Sequence, residues 1–527
     1  MKKFLPILTF LMIFILVLSG CTTTDTTTST STTSTSTTTS TSTSSEPQYG
    51  GVLTIIDIEF ISSPFGYMPE EMYNADTFIL PCVESFFNFD NQGNPIGELA
   101  TSWEFADDYS SLTFHLREGV TFHDGSAFNA EAAKWNLDLM LTKGDTGTDV
   151  WEQIVIVDEY TLRIDLKGFN CLVLSNIPHL TRCTSPTAFE TLGIEGVRYN
   201  PIGTGPFKFK EYKEGESVEY ERYDAYWGGK PYLDGVKFIY IKDRTTAELA
   251  LQGGEANGLH CITSAHLSAR TLGLLGYQII QPPSSYATLY FDTKSEDSIF
   301  NDQRVREAVE YAINREQISE TCGYGYWFAM NQCAVPTENG YIANFEGREY
   351  SPEKAKALLA ETGLTNIRTT IYVPNHMSGD HMVAIQSYLS AVGIDASIEV
   401  ITSARWMELQ YGPGGFNGIL YSPYGSSDVD STVHLNRCYG LKASSRLSNR
   451  PPEGMAEIVA QLLVEPDLAK RGVLCREATL LFWEQCTKVA LWNQPAMYAF
   501  DQTVHDTGIT EWYLPFQFNW NKVWMSQ

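Results

Sequence analysis

Residues 116–131 read LREGVTFHDGSAFNAE, the passage in which a strand gives way, through a tight turn, to a helix. Just before the turn, Ser111–Leu116 alternates polar and apolar side chains, which predicts a strand with one buried face. After the turn, Asn129 stands where a helix N-cap is expected, ahead of an apolar stripe that includes Leu137. The alternation recurs at Thr161–Leu166 and predicts a second strand, whose partner the pattern does not indicate.

Two passages that resemble catalytic or phosphate-binding motifs are better explained as turns. His123 and Asp124 are adjacent, so neither can orient the other, and no nucleophile motif accompanies them. We therefore expect Asp124 to hold its turn through backbone N–H groups. Residues 200–207 (NPIGTGPF) lack the Lys-Ser/Thr of a phosphate-binding loop and precede a strand rather than a helix. Neither passage indicates an enzyme.

The N-terminus carries the features of a lipoprotein leader. Met1-Lys2-Lys3 is followed by a largely apolar stretch to Leu18 that is short for a membrane span, which predicts a signal peptide over residues 1–21. The sequence LSGC at 18–21 resembles the lipobox of prokaryotic lipoproteins, which implies lipidation of Cys21. From Thr22 to Ser45 every residue but Asp25 is Ser or Thr, which predicts a disordered tether over residues 22–46. We expect a protein outside the cytoplasm, attached to the cell membrane.

Composition narrows the functional classes. The chain has 527 residues, with 36 basic and 63 acidic side chains and a formal charge of −27, so nucleic acid is excluded as a partner. Of ten cysteines, nine remain after lipidation, and several of these should pair in an oxidising compartment. No Cys/His cluster has zinc-ligand spacing, so the sequence predicts no metal site and no cofactor.

The second half of the chain alternates strands and helices. Asn301 or Asp302 caps a helix whose apolar positions, from Val305 to Ile313, share one face. Further on, Arg368–Val373 and Ile394–Ile401 are predicted strands that flank a helix over Asp380–Ala391. This βαβ-like unit predicts a mixed α/β lobe with parallel strands.

Four blocks, in this order, resemble the extracellular solute-binding proteins of ABC importers, in the peptide/nickel-binding family. They are residues 116–131, 200–207, 226–236 (YWGGKPYLDGV) and 300–315 (FNDQRVREAVEYAINR). The resemblance implies an α/β fold of the periplasmic-binding-protein type, the large three-domain variety of type II, with a hinge and a ligand cleft between two lobes. It also implies lobe boundaries: lobe I at 47–291 plus 498–527, an extra domain at about 68–186 within it, and lobe II at 292–497.

The function that the resemblance implies is peptide capture. Di- or oligopeptides would be enclosed as the lobes close, then delivered to membrane permease subunits served by cytoplasmic ATPases. We expect a monomer that is not an enzyme. Alternatives left open are an oligosaccharide or other polar solute, a metal chelate, or a role as a sensing accessory that binds solute without delivering it.

The ligand-binding residues are sought in a segment of the family's peptide binders, Gly-Trp-x-x-Asp-Tyr-x-Asp/Glu-Pro. In residues 420–430 of this chain, Ser422 stands in place of the Trp and Gly425 in place of the Asp that neutralises the peptide's α-ammonium. Either Asp428 assumes that role, or the ligand has no free α-amine there. The candidate ligand contacts are Trp406, Tyr421, Tyr424, Asp428, Asp430, Tyr326 and Trp327.

Overall fold

The computed structural model describes residues 46–59, 61, 63–71, 75–144, 147–261, 266–282, 285–412, 415–424, 430–441, 443, 445, 447–512 and 517–527. Residues 47–527 form one compact unit. The predicted signal peptide, Cys21 and all of the predicted tether except Glu46 lie outside the described residues. Among the described helices, none combines the length and the apolar character needed to cross a membrane.

Within these residues the chain forms twenty strands and fifteen α-helices. The strands are β1 (Val52–Asp57), β2 (Phe87–Phe89), β3 (Pro95–Gly97), β4 (Ala100–Phe105), β5 (Ser111–Leu116), β6 (Trp151–Asp158), β7 (Thr161–Leu166), β8 (Phe207–Lys213), β9 (Ser217–Arg222), β10 (Gly235–Tyr240), β11 (Gly258–Cys261), β12 (Gln278–Ile280), β13 (Tyr286–Phe291), β14 (Arg368–Pro374), β15 (Asp395–Ile401), β16 (Ile419–Tyr424), β17 (Lys488–Asn493), β18 (Met497–Phe500), β19 (Val504–His505) and β20 (Trp524–Met525). The helices are α1 (Asp76–Ile79), α2 (Ala130–Lys143), α3 (Leu172–Ser175), α4 (Ile177–Leu180), α5 (Pro186–Val197), α6 (Arg244–Gln252), α7 (His266–Leu274), α8 (Gln303–Ala312), α9 (Arg315–Gly323), α10 (Pro352–Thr362), α11 (Asp380–Ala391), α12 (Ser403–Tyr411), α13 (Thr432–Tyr439), α14 (Met455–Val464) and α15 (Leu468–Glu484).

The first lobe is built on a sheet in the order β12-β18-β11-β1-β10-β9-β8. Its central strand β1 runs parallel to both β10 and β11, and the other pairs are antiparallel. Helices α6 and α7 contribute Ala247 and Ala269 to an apolar cluster with Ile56 of β1 and Leu259 of β11. Because the parallel strands end at the same edge, the side chains after β1 and β11 are brought together there.

A four-stranded antiparallel sheet, β4-β5-β7-β6, is attached to the first lobe. The strands predicted at Ser111–Leu116 and Thr161–Leu166 are β5 and β7, and they pair with each other. The predicted N-cap is also confirmed, because the Asn129 side chain accepts from the Ala132 N–H at the start of α2. The core of this sheet is continuous with that of the seven-stranded sheet.

The second lobe is built on the sheet β15-β14-β16-β13-β17. The predicted βαβ unit is confirmed: α11 spans Asp380–Ala391, and β14 pairs with β15 in parallel. Asp302 is the N-cap of α8, and the apolar face from Val305 to Ile313 is buried. This lobe therefore follows directly from the apolar periodicity of its sequence.

The chain passes between the lobes twice. One connection lies between Ile280 and Tyr286, and the other between Asn493 and Met497. The sequence-based boundary at residue 291 assigned β13 to the first lobe, whereas β13 pairs with β16 and β17 of the second sheet and is buried along its whole length. We therefore propose that the lobes divide at these two connections.

Two of the conspicuous sequence blocks, residues 200–207 and 226–236, converge on Glu84. Thr204, Tyr226 and Trp227 donate side-chain hydrogen bonds to the Glu84 carboxyl group, at 2.8, 2.6 and 2.9 Å. Burial raises the pKa of Glu84 to about 8. Asp124 accepts from the Ser126 backbone N–H at 2.9 Å, which confirms its predicted turn-holding role. These blocks therefore have structural roles at the joint between the two sheets of the first lobe.

Candidate functional site

The two lobes meet at the edge where the parallel strands β1 and β11 end. Tyr326 of the second lobe packs against an apolar cluster of the first lobe, to which Ile58 also contributes. His266, at the start of α7, lies with its ring 4.8 Å from that of Trp327. Ligands of open α/β sheets bind beyond the carboxyl ends of the strands. This junction is therefore the candidate ligand site, and two of the predicted residues, Tyr326 and Trp327, lie in it.

The first lobe contributes a group of charged side chains to this edge. The Asp57 carboxylate and His260 Nδ1 are 2.8 Å apart, and the His260 ring stacks on Tyr498 at 4.5 Å. Burial opposes the charge on His260, but Asp57 outweighs it and Glu59 adds to the effect, so the pKa of His260 is raised. Two acidic side chains and one imidazole lie together here, so the formal charge at the edge is negative whether or not the ring is protonated.

Glu59 is the exposed member of this group. It follows β1 by two residues, and its backbone N–H donates to Asp57 Oδ1 at 2.8 Å. The surrounding protein, and then repulsion from Asp57, raise the pKa of its carboxyl although the side chain reaches solvent. Among the described residues its carboxylate makes no ion pair within 4 Å, and the ion pair of this group joins His260 to Asp57.

The second lobe contributes a buried aromatic stack. Trp327 and Trp492 are parallel, with ring centroids 5.1 Å apart and planes at 3°. The His381 ring stands perpendicular to both, at 5.4 and 5.7 Å. Tyr421 has no exposed surface, and its hydroxyl donates to Gln494 Oε1 at 2.9 Å. The predicted contact Tyr421 therefore occupies a core position next to one of the two connections.

The predicted segment 420–430 is only partly described. Trp406, which is partly exposed, donates its indole N–H to the Tyr421 carbonyl oxygen at 3.3 Å. Ser422 is buried and donates its hydroxyl to Gln410 Oε1 at 3.0 Å. Tyr424 pairs through its backbone with β13, while its side chain and the whole of Asp428 lie outside the described residues. The roles predicted for Trp406, Tyr424 and Asp428 stay predictions.

Asp430 already has partners within the protein. Its Oδ2 is 2.6 Å from Arg471 Nε, in a pair whose side chains are 9% and 12% exposed. Its Oδ1 accepts from the Thr432 N–H at 3.0 Å. A ligand ammonium would have to displace Arg471 to reach this carboxylate. The structure thus gives Asp430 a role in anchoring α13 to α15.

The cysteines differ from the sequence-based expectation. All eight whose side chains are described are free, so the expected pairing is wrong for these residues. Seven of the eight are buried, and burial raises the pKa of Cys82 to about 12, which keeps that thiol protonated and unreactive. The expected disulfides were inferred from an oxidising compartment and from the number of cysteines. Neither shows which thiols lie close enough to pair.

One buried cluster has the composition of a metal site. Glu71, Asp76 and His179 are close enough to hold an ion. However, Arg182 bonds to both carboxylates, with 3.1 Å between its Nη1 and Glu71 Oε2. Since the guanidinium already supplies the positive charge that a cation would bring, the cluster is a structural ion network.

Sequence reasoning missed Asp57, Glu59, His260 and His266. The available signal was the abrupt appearance of acidic residues after the apolar run of β1. Their grouping depends on β1 and β11 being parallel neighbours, although about 200 residues separate them in the chain. No local pattern reports that pairing.

Comparison with known proteins identifies the family. A model described as "Bacterial extracellular solute-binding proteins, family 5 Middle" matches residues 94–434. The chain belongs to this family. Its members are solute-binding proteins that work with ABC permease components, so this protein is the substrate-binding protein of an ABC importer.

The relatives of this family-5 protein reported next are both named as glutathione-binding proteins. The glutathione-binding protein GsiB of Shigella flexneri is 27% identical over 446 residues, covering 80% of this chain and 85% of that protein. GsiB of Pectobacterium atrosepticum is 29% identical over 332 residues, and the match spans 64% of its length and 61% of this chain.

Solved structures of the family share the fold. DppA from Helicobacter pylori, in complex with the peptide STSA, has a TM-score of 0.77 and 22% identity, covering 91% of this chain and 99% of that one. NikA from Brucella suis, in complex with Fe(III)-EDTA, has a TM-score of 0.80 and 22% identity, covering 90% and 100%. The predicted two-lobed binding-protein fold is confirmed.

Proposed function

We propose that this family-5 protein is a lipid-anchored receptor that captures short peptides in the cleft between its lobes and delivers them to its permease. A peptide is proposed as the ligand because the chain is similar, over 80% of its length, to a protein named for glutathione binding. Glutathione is a tripeptide with one ammonium and two carboxylate groups. A ligand of this size suits a site in which the lobes already approach each other closely at His266 and Trp327.

We place the ligand's ammonium by the charges at the junction. Gly425 supplies no carboxylate, and the Asp430 carboxylate is held by Arg471. Glu59 remains as an exposed carboxylate next to Asp57, in a group of net negative charge. We assign recognition of the free α-amine to Glu59 rather than to Asp428, the candidate that the sequence favoured.

Attachment to the membrane rests on the sequence. The lipobox ends at Cys21, and the Ser/Thr tract that follows supplies about 24 residues of tether, with a root-mean-square reach of roughly 27 Å. If Cys21 is acylated, wild-type protein partitions into the detergent phase, whereas Cys21→Ser does not. Equal partitioning of the two proteins would contradict the anchor. We further propose that the receptor acts as a monomer, because its site lies between two lobes of one chain.

The peptide class is tested by a thermal-shift screen followed by titration calorimetry. The panel contains glutathione, tri- and tetrapeptides, maltose- and cellulose-derived oligosaccharides, and the nickel–histidine complex. A ligand present at a hundred times its dissociation constant stabilises the protein by about 2.7 kcal/mol, which gives a clear shift. We expect shifts with peptides only. Stabilisation by an oligosaccharide or by the nickel complex, with none by any peptide, would refute the proposal.

A further inference from the structure

His266 lies where the two lobes and one of their connections meet. Its ring approaches Trp327 edge to face, with centroids 4.8 Å apart and planes at 79°. It also makes a hydrogen bond to the backbone of Pro495, in the connection between β17 and β18. Since a proline has no N–H, the Pro495 carbonyl accepts. Nε2 of His266 has no partner in the described chain, so Nδ1 is the donor.

The contact partner Trp327 is fixed to the second lobe. It stacks on Trp492 of β17. The following residues pair with the same strand: the Met330 N–H donates to the Leu491 carbonyl oxygen at 3.0 Å, and the Asn493 N–H donates to that of Phe328 at 2.9 Å. His266, by contrast, begins α7, which packs on the first sheet. The contact between the two rings therefore crosses from one lobe to the other.

The surroundings of His266 disfavour a charged ring. The side chain is 2% exposed. The charged and titratable groups that act on it are His381 of α11 and Arg244 of α6, and neither is an acid. Burial, and then His381, lower the pKa of His266 to about 3. Because burial keeps water from the ring and no acidic group of the described residues acts on it, an imidazolium at this position would not be stabilised.

We infer that His266 is a positioning residue for ligand capture: its neutral ring holds Trp327 against the first lobe, and its protonation separates the lobes. In separated lobes the ring would be in water, where its pKa is about 6.5. The separated form then binds a proton that the closed form excludes. Above pH 6.5 this group does not reduce the ratio of closed to separated molecules. As the pH falls from 6.5 towards 3 that ratio decreases, and at pH 5 it is about 30-fold lower than at neutral pH.

His381 does not share this role, although it touches the same indole. Its ring neighbours besides Trp327 are Trp492 and Tyr421, which also belong to the second lobe. Burial lowers the pKa of His381 to about 4, and the Met377 carbonyl and Asp380 only partly oppose this. When the lobes separate, His381 remains within its own lobe. Of the two histidines that contact Trp327, the pH response is therefore assigned to His266.

The test is X-ray scattering of the ligand-free protein at pH 7.5 and pH 5.0, with circular dichroism to verify that it stays folded. Wild type should expand at pH 5.0. His266→Asn keeps a donor for the Pro495 carbonyl but cannot titrate, so it should keep one radius of gyration at both pH values. His266→Ala should already be expanded at pH 7.5. His115→Gln, at a histidine whose side chain is 43% exposed on β5, serves as the matched control and should behave like wild type.

Amide hydrogen exchange of residues 323–331 gives a second readout. After correction for the intrinsic pH dependence of exchange, these amides should exchange faster at pH 5.0 than at pH 7.5 in wild type. In His266→Asn their exchange should not differ between the two pH values. Expansion of His266→Asn equal to that of wild type would overturn the inference, as would a wild type that does not expand. If His266→Ala fails to fold, the comparison of wild type with His266→Asn still tests the inference. Because no ligand is used, this outcome is independent of whether peptides are the substrate.

Discussion

Replacing Glu59 by Gln removes one negative charge from the first lobe's edge of the cleft while preserving the shape of the side chain. If Glu59 meets the ligand's ammonium, the variant loses a hydrogen bond between charged groups, worth about 1.5–3 kcal/mol. The exposed position of Glu59 reduces this value through solvent screening, so we expect a loss on the order of 1–2 kcal/mol. That corresponds to a loss of roughly 5- to 30-fold in affinity.

The assay is a double-mutant cycle measured by calorimetry. Wild type and Glu59→Gln are each titrated with a tripeptide and with its N-acetylated form. Because both changes remove the same interaction, N-acetylation should weaken binding to wild type and have little further effect on Glu59→Gln. Glu255→Gln is the matched control, since Glu255 is also exposed but precedes β11, at the opposite edge of the sheet.

Additive effects of the two changes would refute the assignment of Glu59. So would a Glu59→Gln variant that binds the free-amine peptide as tightly as wild type does. In that second case, a loss of binding in Asp428→Asn would return the role to Asp428, and the peptide class itself would stand. Failure of every peptide to bind wild type would instead contradict the proposed function.

Three further predictions follow from the described contacts. Asp430→Asn should lower the free energy of unfolding by roughly 3 kcal/mol, because Arg471 loses its buried partner, and should leave peptide affinity unchanged; a selective loss of affinity would show that Asp430 binds ligand. Leu389→Ala, at a fully buried position of α11, should cost about 2–5 kcal/mol in chemical denaturation, whereas Val383→Ala, 59% exposed on the same helix, should cost far less; equal costs would contradict the packing. Affinity for free-amine peptides should fall more steeply than that for N-acetylated ones as the pH is lowered through the raised pKa of Glu59, because protonation removes the carboxylate that only the free ammonium needs; parallel pH profiles would argue against this.

The elements of the second lobe were predictable because their signals are local. The cap at Asp302, the buried face that begins at Val305, and the alternation of strand and helix from Arg368 to Ile401 each lie within a short stretch of sequence. Apolar periodicity directly reports which face of such an element is buried. Parallel pairing followed from the βαβ order. The lobe boundary predicted at residue 291 was wrong, because β13 is buried on both sides and its sequence does not reveal which sheet it joins.

The candidate site was predictable only in part. Tyr326 and Trp327, which the sequence offered as ligand contacts, lie at the lobe junction, and their role in binding stays a prediction. Asp430 was chosen by its distance in sequence from a family motif, and that distance does not reveal the partner Arg471, which lies 41 residues away on α15. Glu59 and His260 were missed for the same reason. The charge pattern of a cleft is formed by long-range pairing, which a single sequence does not display.

Native mass spectrometry of the protein, purified without refolding, tests the central claim most directly. A receptor that encloses its ligand between two lobes should retain it through gentle purification. We predict a bound species whose fragments are amino acids, lost from wild type on mild unfolding and retained less well by Glu59→Gln than by Glu255→Gln. A bound species that fragments as a sugar, or that carries a transition metal, would contradict the account.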